Sequence, residues 1–182
     1  MLGESWELAS VRGDPTDPGG VCLTPTGRVT SLDSRFHGGH RRAVTVEDPP
    51  APVAVDLAKG DWVVGPQIPP LDVVATADAA PAEAGGRVFV HAVNRGFDTP
   101  VPVRVVLGGV DAASVASVTH RVLVRGDDES QRMAVTKVRT RELPAHAEAV
   151  DGGAALELEL PAASVSVIEI ALGSPPAGPG SD

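Results

Sequence analysis

Short valine-rich runs, repeatedly cut off by glycine, proline or acidic turn residues, constrain this chain more than any other feature of its sequence. Ten runs read as strands: Ala43 to Glu47, Val53 to Leu57, Asp61 to Val64, Leu71 to Thr76, Arg87 to Val93, Val101 to Leu107, Ser117 to Val124, Ala134 to Val138, Ala155 to Leu160 and Ser164 to Leu172. Asp48-Pro49-Pro50, Gly85-Gly86, Gly108-Gly109 and Asp151-Gly152-Gly153 are among the turns that separate them. β-Branched residues suit a pleated surface, and many short strands at such spacing point to a sandwich or barrel. The expectation is an all-β fold: an antiparallel β-sandwich of jelly-roll type with one short N-terminal helix.

Alternation shows which strands keep one wet face. Leu156, Leu158 and Leu160 share a side opposite Glu157 and Glu159, and Val101, Val103, Val105 and Leu107 share another. In Val165-Ser166-Val167-Ile168-Glu169-Ile170 the apolar phase slips by one residue, which predicts a bulge or a strand changing sheets. The helix is expected at about 24–37. Thr24 caps it, Pro25 takes the first helical position, Val29, Leu32 and Phe36 form its apolar stripe, and Gly38-Gly39 stops it. Gly27 inside the run costs about 1 kcal/mol relative to Ala. Residues 173–182 carry no large apolar side chain and read as a disordered tail.

At 182 residues the chain is one domain, or one plus a fragment, and is too short for a (β/α)₈ barrel of about 250 residues with an accessory domain. Fifteen Lys and Arg against 24 Asp and Glu give a net charge of -9, and Tyr is absent. That balance repels a phosphate backbone and leaves few rings to stack on bases, which argues against nucleic acid. No apolar run reaches the roughly 18 residues of a membrane span, and no basic-then-apolar leader opens the sequence, so a cytoplasmic, membrane-free protein is expected. Cys22 alone supports neither a disulfide framework nor a multi-cysteine zinc site.

Few side chains form a chemically suggestive pattern. Glu157 and Glu159 lie on the polar side of a strand, where both stay ionised and solvated. Asp127-Asp128-Glu129 lacks an EF-hand pattern and reads as an acidic turn. His37 and His40 flank two glycines without a third ligand, and His91 and His120 read as ordinary sheet positions. Cys22 reads as a packed thiol, and no G-x-S-x-G, P-loop or G-x-G-x-x-G occurs. Arg12-Gly13-Asp14 and Arg125-Gly126-Asp127 are chance tripeptides. Trp6 and Trp62 are the candidates for stacking on a sugar, although core or interface filling accounts for them more simply. No catalytic residue, metal site or cofactor is expected.

Four segments, in order, resemble the C-terminal region of family-51 glycoside hydrolases, the α-L-arabinofuranosidases. They are Leu23-Thr24-Pro25-Thr26-Gly27-Arg28-Val29, Ile68-Pro69-Pro70-Leu71-Asp72-Val73-Val74-Ala75-Thr76, Val88-Phe89-Val90-His91-Ala92-Val93-Asn94-Arg95, and Leu160-Pro161-Ala162-Ala163-Ser164-Val165-Ser166-Val167-Ile168. The resemblance runs from about residue 5 to 172. It implies a barrel followed by a jelly-roll sandwich in the parent protein, with retaining hydrolysis of terminal α-L-arabinofuranosyl groups by two Glu on the barrel. Neither Glu can be carried over: the family's acid/base Glu follows an Asn, and the single Asn here, Asn94, precedes Arg95. Glu129-Ser130-Gln131-Arg132 also departs from the family's Asn-Thr element after the acidic turn.

The resemblance divides the chain into residues 1–40, a remnant of the end of the barrel, residues 41–172, the sandwich, and the tail. It implies a non-catalytic domain supporting barrel stability and assembly in L-arabinose metabolism. Its partners would be a catalytic barrel in the same parent protein or on a separate chain, a second copy of itself, and arabinose-containing oligosaccharide through the parent enzyme. Val29, Leu32 and Phe36 would contact the barrel or another protomer. A sandwich edge would also stay open, since the family takes one strand from the sequence before the barrel. The alternative is a free-standing carbohydrate-binding module or a non-covalent accessory subunit.

Overall fold

A computed structural model describes residues 11–13, 21–23, 25–54, 67–78, 85–96, 98–124, 137–143 and 147–173. The elements are β1 (Val11–Gly13), β2 (Val21–Leu23), α1 (Pro25–Arg35), β3 (His40–Arg42), β4 (Val53–Ala54), β5 (Gln67–Ile68), β6 (Leu71–Ala77), β7 (Arg87–Asn94), β8 (Val101–Gly108), β9 (Val115–Val124), β10 (Lys137–Leu143), β11 (Glu148–Val150), β12 (Gly153–Leu160) and β13 (Ser164–Leu172). A six-stranded sheet runs in the order β10-β9-β13-β7-β6-β3 and a three-stranded sheet in the order β11-β12-β8. Every pairing is antiparallel; β1-β2 and β4-β5 form separate ribbons.

The two larger sheets close over one core. Val88, Val90 and Ala92 of β7 and Ile168, Ile170 and Leu172 of β13 meet Leu107 of β8 and Ala154, Leu156 and Leu160 of β12. The outer side of the six-stranded sheet is covered by α1, where Leu32 packs with Phe89, Leu123 and Val167. The result has three layers: helix, large sheet, small sheet.

Alternation predicts the small sheet well. In β12, Leu156 and Leu160 are buried while Glu157 and Glu159 are exposed, and in β8 the side chains of Pro102, Arg104 and Val106 face solvent. The phase slip in β13 has a different origin from the expected bulge. Ser166, Ile168 and Ile170 point between the sheets while Val165 and Val167 point at the helix, so both faces are apolar and the strand runs straight through. The register shift falls later, between Ala171 and Leu172.

Ala43–Glu47 is not a strand. The chain leaves the sheet after Arg42 and runs exposed to Asp48, whose φ is 48°, ahead of Pro49 and Pro50. Neither proline can donate a ladder hydrogen bond, so the ladder does not run through them, and pairing resumes only at Val53 opposite Ile68. The expected run Val53 to Leu57 is represented by β4, and Asp61 to Val64 lies outside the described residues. β1, β2, β3, β5 and β11 arise where no strand is expected; β11 meets β12 through Asp151-Gly152, with Gly152 at φ 76° supplying the left-handed turn residue.

The helix matches expectation closely, although Thr24 lies outside the described residues. Its glycine stop serves a further purpose. A Cβ on Gly38 would collide with the Ala77 carbonyl group, and the Gly38 N–H donates to Thr76 Oγ1 at 2.9 Å. This close approach brings the chain from α1 into β3, on the far side of β6.

Candidate functional site

Two places combine shape with unused chemistry: the helix-covered face of the large sheet and the cleft where the two sheets part. On the first, polar groups ring the apolar contact. Arg121 Nη1 lies 2.6 Å from Glu169 Oε2, and its guanidinium carbon sits 3.9 Å from the centroid of Phe36. Arg87 reaches Glu169 at 3.8 Å and Asp78 at 3.2 Å, so charges alternate across the face. His91 Nδ1 contacts Asp33 of α1 at 3.0 Å, and His91 Nε2 is buried with no hydrogen-bond partner among the described residues. Each link crosses between elements distant in sequence, and together they orient the helix.

The cleft encloses about 540 Å³. Its walls are the inward-facing apolar rows of β6, β7 and β8, including Leu71, Val73, Val90, Val103 and Val105, and its mouth is bordered by Arg42–Glu47 and Arg104. Leu71, Val73, Val103 and Val105 are only half-buried although they point inward, because the small sheet does not reach across to β6. Glu47 is the one carboxylate in the lining among the described residues. Retaining glycoside hydrolysis uses two carboxyl groups about 5 Å apart, so this cleft offers shape and apolar surface rather than an acid–nucleophile pair.

The cleft opens beside a free sheet edge. β8 pairs with β12 alone among the described residues. Gly109 N–H donates to Gly152 O at 2.8 Å, which fixes the ladder phase: odd-numbered residues of β8 bond β12, and Arg104, Val106 and Gly108 aim their N–H groups outward. Pro102 falls in the same outward set, where its lack of an N–H blunts the edge. Val106 is 56% exposed.

The residues singled out from sequence are scattered. Leu32 is 4% exposed, and Val29 and Phe36 are half-buried against the chain's own sheet, so the stripe already has a partner within the fold. Trp6, Trp62 and Asp127-Asp128-Glu129 lie outside the described residues. Cys22 falls in β2. His37 and His40 are exposed, and no group of three His, Cys, Asp or Glu side chains among the described residues is close enough to hold a metal. His120 and Ser166 form a 2.9 Å hydrogen bond, but at 3% and 0% exposure they are sealed between the sheets. No helix among the described residues is long and apolar enough to cross a membrane.

Asn94, by contrast, is a hub that sequence reasoning missed. Its Nδ2 donates towards the carbonyls of Thr99, Leu160 and Pro161, and its Oδ1 accepts from Gly96 N–H. It joins the end of β7 to the β12–β13 turn. The available signal was a lone asparagine closing a strand, two residues before a glycine.

No protein-family model matches the sequence, and no curated protein matches it. Two solved structures are similar along most of its length. One is a thermostable GH51 α-L-arabinofuranosidase from Thermotoga petrophila RKU-1, at 18% identity and a TM-score of 0.63, covering 88% of this chain and 31% of that one. The other is an arabinofuranosidase, at 19% identity and a TM-score of 0.63, covering 89% and 31%. At such identities the likeness establishes a shared fold. This chain spans less than a third of the length of either structure, so its arrangement of sheets recurs there as part of a larger protein.

Proposed function

We propose that this chain is the C-terminal β-sandwich, jelly-roll in connectivity, of an α-L-arabinofuranosidase-like glycoside hydrolase, and that it supports a catalytic barrel without breaking bonds itself. The observation that carries this reading is the fold shared over 88% of the chain with a protein about three times as long. The four ordered segments add to it independently. In this reading residues 1–40 are the end of the barrel, residues 41–172 form the sandwich, and the parent removes terminal α-L-arabinofuranosyl groups. The half-exposed flanks of Val29 and Phe36 are where α1 reaches the barrel, and the free edge of β8 is where a strand from outside these residues adds.

An aryl α-L-arabinofuranoside assay tests the proposal. The chain alone should give no turnover, and joining it to the barrel segment that precedes it in the parent gene should restore hydrolysis and raise the barrel's thermal midpoint. Turnover by the chain alone, abolished by one Glu→Gln change, would overturn it. Retention of the chain on insoluble arabinoxylan would favour a carbohydrate-binding module instead.

A further inference from the structure

The strongest unused feature is the stretch Ala43–Glu47. It follows β3 directly, has the alternating composition Ala-Val-Thr-Val-Glu, and borders the mouth of the cleft. Val44 and Val46 are each 41% exposed although both line the apolar cleft. β6 also offers a free edge at the right place: β3 covers it only from Ala75 to Ala77, leaving Leu71–Val74 without a neighbour on that side among the described residues.

The existing register says what would happen if pairing continued. His40 opposes Ala77, Arg41 opposes Thr76 and Arg42 opposes Ala75. Extending the ladder sets Ala43 against Val74, Val44 against Val73, Thr45 against Asp72 and Val46 against Leu71. Directly opposed residues share a face, and Ala75, Val73 and Leu71 line the cleft. Val44 and Val46 would therefore enter the cleft over two half-buried residues, while Ala43 would cover Val74, itself 40% exposed on the opposite face. The ladder would run out at Glu47, opposite Pro70, which has no N–H to give.

We propose that Ala43–Glu47 is a strap that zips onto the free edge of β6, carrying β3 on to Glu47 and filling the cleft with Val44 and Val46. The structure holds the open arrangement. The closed one satisfies an exposed sheet edge and removes apolar surface from water without moving any other strand. The two exchange as a local two-state equilibrium, and the strap keeps the cleft occupied whenever nothing else enters it. This inference does not depend on the identity of the parent enzyme.

Paired cysteines test it in a Cys22→Ser background. Under mild oxidation the in-register pair V44C/V73C should form a disulfide readily in the folded protein, and V44C/V105C, which would report closure onto the cleft-facing row of β8, should not. Preferential oxidation of V44C/V105C, or no cross-link in either pair, would overturn the proposal. The unsubstituted chain provides a second reading that needs no cysteine. Amide exchange at alternate positions within 43–47 should be slowed about ten-fold or more against free-peptide rates. Free-peptide exchange throughout the segment would equally overturn it.

Discussion

Arg121 and Glu169 face each other across β9 and β13 at 2.6 Å, each side chain 18% exposed, with the Phe36 ring laid on the guanidinium. The pair is partly withdrawn from water and stands where the helix meets the sheet, so removing one partner leaves the other short of compensation. Arg121→Ala should lower stability by about 2–3 kcal/mol, whereas Glu169→Gln, which keeps a hydrogen-bond acceptor, should cost about 1 kcal/mol. Urea unfolding midpoints check this, and Arg121→Lys should not restore the full value because an ammonium lacks the planar stack.

Gly38 and Gly39 are neighbours with opposite tolerance. A side chain on Gly38 would collide with the backbone of Ala77, and one on Gly39 meets nothing within 4 Å. Gly38→Ala should cost about 1–3 kcal/mol by forcing the α1–β3 connection off β6. Gly39→Ala should be neutral within about 0.5 kcal/mol. Thermal melting of the two variants side by side gives the comparison.

Asn94 is 2% exposed and turns its amide towards three carbonyl oxygens. Asn94→Asp replaces that donor with an anionic acceptor and should cost roughly 3 kcal/mol at neutral pH. In this variant the native state favours the protonated carboxyl, so the deficit should shrink as pH falls and the new group becomes a donor. Denaturant titrations at acidic and neutral pH would reveal the convergence, and a gap that widened towards acid would contradict this account of the site.

The free edge of β8 predicts a colloidal effect. Val106 is the most exposed large apolar side chain of those described, and it lies beside outward-facing N–H groups. Val106→Lys should reduce concentration-dependent self-association of the isolated chain, with stability changed by no more than about 0.5 kcal/mol. Light scattering over a concentration series measures it.

The small sheet was legible because it has one wet face: in β8 and β12 polar and apolar residues alternate, and the core rows follow directly. β13 departs from the expected bulge for a physical reason: a helix covering its outer side removes the polar row that alternation depends on. Ala43–Glu47 has the composition of a strand, yet Pro49-Pro50 interrupts the ladder beyond it, and pairing resumes only at Val53 with Ile68. The contacts Arg121–Phe36, His91–Asp33 and Asn94–Leu160 join residues far apart in the chain. Their geometry follows from topology, which no local pattern specifies. The resemblance reached the fold because it compared ordered segments instead of individual periodicities.

β13 lies between β7 and β9 and is synthesised after both. Until it emerges, neither has its central hydrogen-bonding neighbour, and the large sheet can exist only as two separate pieces with raw apolar flanks. Assembly of the large sheet on the ribosome must therefore wait for β13, and β7 and β9 are most vulnerable to wrong pairing just before it arrives.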